Sequence, residues 1–370
     1  MVRGVGQVAN GKPVAMFIEG EYGIGKSSIA SYVMARAETE YNLFGIYAPL
    51  GGVDTLEGLG QAVLEATIRS SAYNPDRSEI IRNWLAKYIG EQKFGITLRF
   101  DALRQDAPRV AEGILPFLSD TLNRLKDTGV KGLVLVLDEI NGITSNPLFA
   151  HFIKGMVDTN ALLKNPLPLF LILCGVEEKR REMIQAHLPV ERIFDIISIE
   201  KMTEDEMREF FTLAFHSVQM SVENDALEML VHYSAGFPKI MHLIGDAAYW
   251  IDDDGVVSHE DAMRAVFTAA EDVGRKYVDQ QVYSALRSKD YRSILAKIAI
   301  RGPDTMSFRK DDIAGDLTDI EKKKFNNFLQ KMKELKVLRS GTVRGEWVFN
   351  MRMVRLYIFL QSLQQETHST

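Results

Sequence analysis

Residues 20–27, GEYGIGKS, constrain this chain more than any other stretch, because Gly20, Gly23 and Gly25 permit a tight backbone turn that larger side chains resist. The apolar run 13–19 (PVAMFIE) reads as a buried strand before it, and 27–39 (SSIASYVMARAET) reads as a helix after it. Strand, turn and helix in that order suit the pattern G-x-x-x-x-G-K-[ST]. It turns backbone N–H groups inward at a helix N-terminus, where the macrodipole also favours negative charge. The alternative, a chance glycine turn followed by a surface lysine, requires neither flank. The predicted ligand is a nucleoside triphosphate, cradled by Gly20, Glu21, Tyr22, Gly23, Ile24, Gly25, Lys26, Ser27 and Ser28. Lys26 is expected to reach the β- and γ-phosphates, and the Ser27 hydroxyl to ligate Mg²⁺.

A second run, 132–139 (GLVLVLDE), has no polar residue before its last two, as expected for a strand covered on both faces. It ends in Asp138 and Glu139. In a nucleotide site Asp138 is expected to hold Mg²⁺ through water, and Glu139 to orient and deprotonate the attacking water. Taken alone, the two acids read equally well as a turn that caps the next helix. About 110 residues after the glycine turn, they read as the second half of the same site.

At 370 residues the chain exceeds one ordinary core, so two or three domains are expected. Cys174 is the single cysteine and lies in an apolar run, which excludes a disulfide framework or a cysteine-rich zinc site and makes a reducing, cytoplasmic setting the default. The seven histidines are scattered without ligand spacing. No N-terminal apolar segment with basic flanks appears, and no apolar run is long enough to span a bilayer, so no membrane association is expected. Residues 286–356 carry 17 Lys and Arg against 9 Asp and Glu, a local +8 that leaves −14 on the rest of a chain whose net charge is −6. Such asymmetry points to a polyanionic partner for one terminal domain.

Along 1–200 the pattern alternates. Residues 44–50 (FGIYAPL), 168–174 (PLFLILC) and 194–199 (FDIISI) read as further strands, 55–70, 79–88 and 110–126 as helices, and 93–100 as a short strand or hairpin. The predicted fold class is α/β: a doubly wound parallel sheet, with ligands beyond the carboxyl ends of its strands. Beyond 199 the pattern is helical. Thr203 with Glu206 and Ser258 with Asp261 form capping boxes, and helices are predicted from 203 to about 218, over 222–234 and over 239–251. Asp252, Asp253, Asp254 and Gly255 read as an acidic turn, since a calcium loop with Gly255 at its sixth position would place Trp250 at the first.

In the terminal part, helices are predicted over 292–300, 309–314 and from 318 to about 336, followed by two strands around a tight turn in 337–349. Phe325, Phe328, Leu329, Met332 and Leu335 recur as the buried face of the third helix. Lys322, Lys323, Asn326, Gln330 and Lys333 fall largely on the other side. Three helices and a basic hairpin carrying Arg339 and Arg344 follow the order of a winged helix, whose third helix enters the DNA major groove. The candidate double-stranded DNA contacts are Lys322, Lys323, Asn326, Lys333, Arg339 and Arg344. The alternative is a protein-binding module whose lysines keep a helix face solvated.

Together the Gly20 loop (Walker A), the Asp138–Glu139 strand end (Walker B), the helices with Gly236, Phe237, Pro238 and Lys239, and the terminal module resemble the AAA+ ATPases of the origin-recognition and initiator-loader type. They also resemble the related archaeal and bacterial ATPases that shade into the signal-transducing STAND class. The resemblance implies a P-loop NTPase core over 1–200, an all-helical lid over 201–272, and a linker helix with a C-terminal winged-helix domain over 273–370. It implies that Lys239 is the sensor-2 cation that touches the γ-phosphate, and that Arg192 is an arginine finger completing a neighbouring subunit's site in a homo-oligomer. The sequence departs from the family where Cys174 replaces the polar γ-phosphate sensor, where little chain precedes the first strand, and where Asn141 follows Glu139 as a possible partner for the water. Two functions follow from these features. One is an ATPase (ATP to ADP and phosphate) that assembles on duplex DNA. The other is a nucleotide-controlled switch whose winged helix is released to a protein partner, such as a separately encoded effector.

Overall fold

Residues 1–71, 79–81, 83–84 and 107–367 are described in this computed structural model. They form two compact units, Met1–Glu200 and Lys201–Thr370. In the first, Val14–Glu19 (β1), Leu43–Pro49 (β2), Gly132–Asp138 (β3), Leu169–Gly175 (β4) and Asp195–Ser198 (β5) make one sheet in the order β2-β3-β4-β1-β5. Every pairing is parallel. Val2–Ala9 (α1) and Lys26–Tyr41 (α2) cover one face, where Val5, Val8, Ala30 and Val33 meet Ile18, Val134, Val136 and Ile172. Leu56–Ser71 (α3), Ala107–Leu125 (α4) and Pro147–Leu162 (α5) cover the other, where Leu59, Leu118, Phe149 and Ile153 meet Phe17, Leu135 and Leu171. Adjacent strand residues thus bury on opposite faces, which is why β3 and β4 are apolar without interruption.

α1 is not predicted by the sequence pattern, because Gly4 and Gly6 lower its helix propensity. Gly4 has a packing reason. A Cβ there would stand 2.9 Å from Met16 and 3.1 Å from Phe170, so glycine lets the helix lie close on the sheet. Of the predicted helix 79–88, residues 79–81, 83 and 84 are helical. Its remainder and the predicted strand 93–100 lie outside the described residues.

The second unit opens with Glu204–Ser217 (α7), after Glu177–Ala186 (α6) has ended the helices of the first. Asn224–Ser234 (α8), Pro238–Ile251 (α9) and His259–Val273 (α10) follow, and both capping boxes are present. The helix predicted from 222 begins instead at Asn224, because Ser221–Val222 (β6) pairs in parallel with Val256–Val257 (β7). Gly255 has φ +84°, and its N–H donates to Asp252 Oδ2 at 2.8 Å, so 252–255 is an acidic turn. Gly274–Tyr283 continues α10 as a wide π-helix, a rare form at this length that sequence periodicity does not signal. Then come Lys289–Ala299 (α11), Ser307–Arg309 (β8), Lys310–Ala314 (α12), Asp319–Glu334 (α13), Leu338–Ser340 (β9), Glu346–Phe349 (β10) and Arg352–Thr367 (α14). Arg309 ends a strand rather than opening the helix predicted over 309–314, since it pairs with Glu346. The predicted two-stranded hairpin is a three-stranded antiparallel sheet, β8-β10-β9.

α14 locks this unit. The Tyr357 ring lies on the backbone of Gly274, where any Cβ would stand 2.3 Å from it, and its hydroxyl donates to Asp279. Arg355 is fully buried over the Phe349 ring and donates to the carbonyls of Ala299, Gly302 and Thr305, so that it caps carbonyls beyond the end of α11. Burial brings its guanidinium down to about 10.

Glu321 supplies a titratable anchor. It is buried on the first turn of α13, accepts from Lys297 Nζ at 2.7 Å and from the Thr318 N–H at 2.7 Å. Burial pushes its carboxyl up, but hydrogen bonds from Lys297, Ser293 and Thr318 prevail and hold it at about 2. Because the folded value lies below the ordinary one, this stabilisation is complete above about pH 4.5 and is lost as pH falls toward 2. Glu321→Gln is expected to lower the second unit's stability by roughly 1–3 kcal/mol at neutral pH, with wild type and variant converging in acid. Thermal melts across pH check this, and a constant gap between the two curves would contradict it.

Candidate functional site

Gly20 to Gly25 connect β1 to α2, whose first residue is Lys26. Gly23 and Gly25 have φ of +81° and +103°, a region that favours glycine. At Gly20 the constraint is space, since a Cβ would stand 2.9 Å from Ile24 and 3.0 Å from the Ile199 carbonyl. No side chain caps Gly25 and no acid lies in the first turn of α2, which leaves the N–H groups of Lys26, Ser27 and Ser28 free of intrahelical acceptors. Lys26 Nζ curls back to donate to the carbonyls of Gly20 at 3.0 Å and Glu21 at 2.8 Å. Burial lowers its pKa, opposed mainly by Asp138.

Strand order brings the acids to this loop. β4 alone separates β1 from β3, and all three end on the same side. Asp138 is buried at the end of β3. One carboxylate oxygen accepts the Glu139 N–H at 2.9 Å, and the other accepts the hydroxyl of Tyr47 from β2. Glu139 is exposed and has φ +55°, an uncommon conformation for a side-chain-bearing residue that costs about 1 kcal/mol or more. Its carboxylate lies over Gly51, where a Cβ would stand 2.5 Å from Oε2. Burial and the nearby Asp138 push the Cys174 thiol up, so it remains a neutral, buried group at the end of β4. The Asn141 amide oxygen accepts the Val176 N–H at 3.4 Å and so ties the loop after β3 to the one after β4.

The donor set suits magnesium. Ser27 and Asp138 offer the hard oxygens that ion prefers, and both act on the one phenol of Tyr47. Burial, then Asp138, pushes that phenol up, while the Ser27 hydroxyl pulls the other way.

Three groups escape the motif reading. Glu19, the last residue of β1, is buried; it pairs with Arg180 of α6 at 2.6 Å and accepts the Ser198 hydroxyl of β5 at 2.8 Å. Tyr47, bonded to Asp138, is the second such side chain, and Arg180 the third. Their signal in the sequence is a polar residue within an apolar strand, at 19 and at 47.

Arg192 is exposed on the short turn Leu188–Ile193. Lys239 is exposed on the first turn of α9, in the second unit. Lys322, Lys323, Asn326 and Lys333 lie exposed along α13, and Arg339 and Arg344 lie on and beyond β9. Asn326 accepts from Lys310 Nζ at 2.8 Å. No helix among the described residues is long and apolar enough to cross a membrane.

No family model matches the chain, and no curated protein does. Solved structures do. The ORC2 protein of Aeropyrum pernix, with ADPNP and ADP, aligns at a TM-score of 0.60 and 11% identity over 99% of this chain and 93% of that one. A Walker-type ATPase of Pyrococcus abyssi aligns at 0.58 and 18% identity over 96% and 94%. The Aeropyrum pernix ORC1 protein in complex with DNA aligns at 0.51 and 14% identity over 99% and 90%. With its five-stranded parallel sheet and Lys26 at the head of the helix after β1, the chain has the AAA+ P-loop fold of the origin-recognition ATPases.

Proposed function

We propose that the protein binds and hydrolyses ATP at the Gly20–Ser28 loop and couples the nucleotide state to duplex DNA. The observation that carries this reading is the convergence of Lys26, Ser27, Asp138 and Glu139 at the carboxyl ends of β1 and β3. The N–H groups of the first turn of α2 cradle the phosphates. Lys26 leaves the loop carbonyls for the β- and γ-phosphates, and Ser27 and Asp138 hold magnesium. When bound, the ion neutralises charge that builds on the transferring phosphoryl group. Glu139 orients a water and accepts its proton as the water attacks. In this reading Arg192 serves a neighbouring copy of the chain, and Lys239 is the sensor-2 cation.

The DNA part of the proposal rests on 273–370, read as a winged helix. Among the described residues Lys322, Lys323, Lys333, Arg339 and Arg344 make no ion pair, whereas Lys297, Lys324 and Lys331 do. The unpaired cations share the α13 face and the β9–β10 hairpin, the two elements such a fold lays on DNA. The ORC1 structure with DNA supports the same assignment by fold.

A second reading, a nucleotide-controlled switch that acts on a protein partner, is compatible with the same junction, in which α14 joins the terminal module to α8 and α10. Arg352 meets His232, which meets Asp304 at 3.0 Å. The helices over 201–272, read as a lid, therefore carry the terminal module with them.

Lys26→Ala is expected to abolish turnover and weaken ATP binding roughly 10–100-fold, since charge-assisted hydrogen bonds are worth about 1.5–3 kcal/mol. Glu139→Gln is expected to retain ATP while losing roughly 10²–10⁴-fold in turnover. Calorimetry and phosphate release measure both, and wild-type turnover in the two variants would defeat the assignment. Reversing charge at Lys322, Lys323 and Arg344 together is expected to weaken duplex binding and to reduce its log–log salt slope by about two to three. Unchanged affinity in a salt titration would select the protein-binding reading.

A further inference from the structure

Tyr47 stands where the two proposed magnesium donors meet. It sits on β2, in register with Val136 of β3, and its ring is half-buried against the cluster formed by α2 and the sheet. Its hydroxyl donates across the strands to one oxygen of Asp138, and the same hydroxyl feels that of Ser27. The other oxygen of Asp138 is held by the backbone N–H of Glu139 at 2.9 Å. The backbone around the carboxylate is fixed as well, since the Asp138 carbonyl accepts the Leu50 N–H at 2.7 Å. With the main chain and one oxygen set by local geometry, the phenol is the strongest remaining hold on the carboxylate, beside the weak thiol donor of Cys174. Phenylalanine would fill the same space on β2 without that bond. A tyrosine hydroxyl here does nothing for packing that a phenyl ring would not do.

We propose that Tyr47 is a positioning residue for the divalent cation: its hydroxyl aims the Asp138 carboxylate toward Ser27 and so sets the magnesium dependence of nucleotide binding. The proposal rests on the reading of the loop as a nucleotide site. Partners that orient a metal-binding carboxylate from behind typically contribute about 10–100-fold to metal affinity. The effect should appear only where the metal takes part.

The test uses the full chain and Tyr47→Phe, with ATP affinity measured by calorimetry across a magnesium titration and again with EDTA. The variant is expected to need about tenfold more magnesium for half-maximal tightening of ATP, while its affinity in EDTA stays within about twofold of wild type. On an Asp138→Asn background, Tyr47→Phe is expected to add nothing further, since the carboxylate it aims is gone. An unchanged magnesium midpoint would overturn the proposal. An equal loss with and without magnesium would also overturn it, because that is the mark of a purely structural hydrogen bond, as would full additivity with Asp138→Asn. Failure of wild type to bind ATP under any condition is a distinct result, which removes the nucleotide site itself and this inference with it.

Discussion

Parallel pairing is the constraint on which the first unit depends. It sends the carboxyl ends of β1, β2, β3 and β4 to one side of the sheet, and each contributes a polar group there: Glu19 and Gly20, Tyr47, Asp138 and Glu139, and the peptide groups around Cys174. An antiparallel partner for any one of them would have turned its terminal residue to the opposite edge. Besides the bond from the Glu139 N–H to Asp138, the polar groups are tied across strands and loops. Tyr47 reaches Asp138, Arg180 and Ser198 reach Glu19, and Asn141 reaches Val176. These ties hold buried carboxylates that would otherwise carry a desolvation penalty of several kcal/mol. The same bonds that make burial tolerable also fix the carboxylates in place, which is what a phosphate site requires of its acids.

The strands were legible because a sheet covered on both faces demands apolar residues at every position, and few other environments do. That signal is strong in β3 and β4 and absent from β5, an edge strand with exposed residues, though the predicted ends of all five lie within about one residue of those observed. The glycine loop was legible for a complementary reason, since positive φ and close approach to Ile199 leave little choice of residue. What escaped was pairing at long range. The partners of Glu19 lie 161 and 179 residues away, and Asp138 lies 91 residues beyond Tyr47, so no local pattern joins them. α1 escaped for the opposite reason, because its glycines are chosen for contact with Met16 and Phe170 against local helix propensity.

In the second unit, charge is sorted by role. The buried face of α13, with Phe325, Phe328, Leu329 and Met332, follows the predicted periodicity. Periodicity does not tell which lysines are consumed by internal pairs. Lys297 holds Glu321 and Lys324 holds Asp290, while Arg355 is spent on backbone carbonyls. The local excess of positive charge therefore overstates what is presented to solvent within 286–356, yet the unpaired remainder is concentrated on α13 and the hairpin. Concentration, not the total, decides whether a polyanion is held, because screening confines each cation's reach to about 8–10 Å at physiological salt.

The interlock around α14 bears on which movement the proposed coupling can use. Tyr357 on Gly274, the Asp279 bond and the buried Arg355 fasten the π-helix, α11 and α14 together. Pulling α14 away from α11 and from the π-helix that continues α10 would expose the core shared by Val278, Val282, Tyr357 and Ile358 and break the bonds of Arg355 to the carbonyls of Ala299, Gly302 and Thr305. Exposing those apolar side chains costs about 1.5–3 kcal/mol each, and the lost hydrogen bonds add to that. A nucleotide-dependent change of a few kcal/mol cannot sustain such a separation as a routine step. It can readily move a preassembled body, so a DNA-bound ATPase and a protein-directed switch built on this fold share one mechanical element: α7 to α14 moving together.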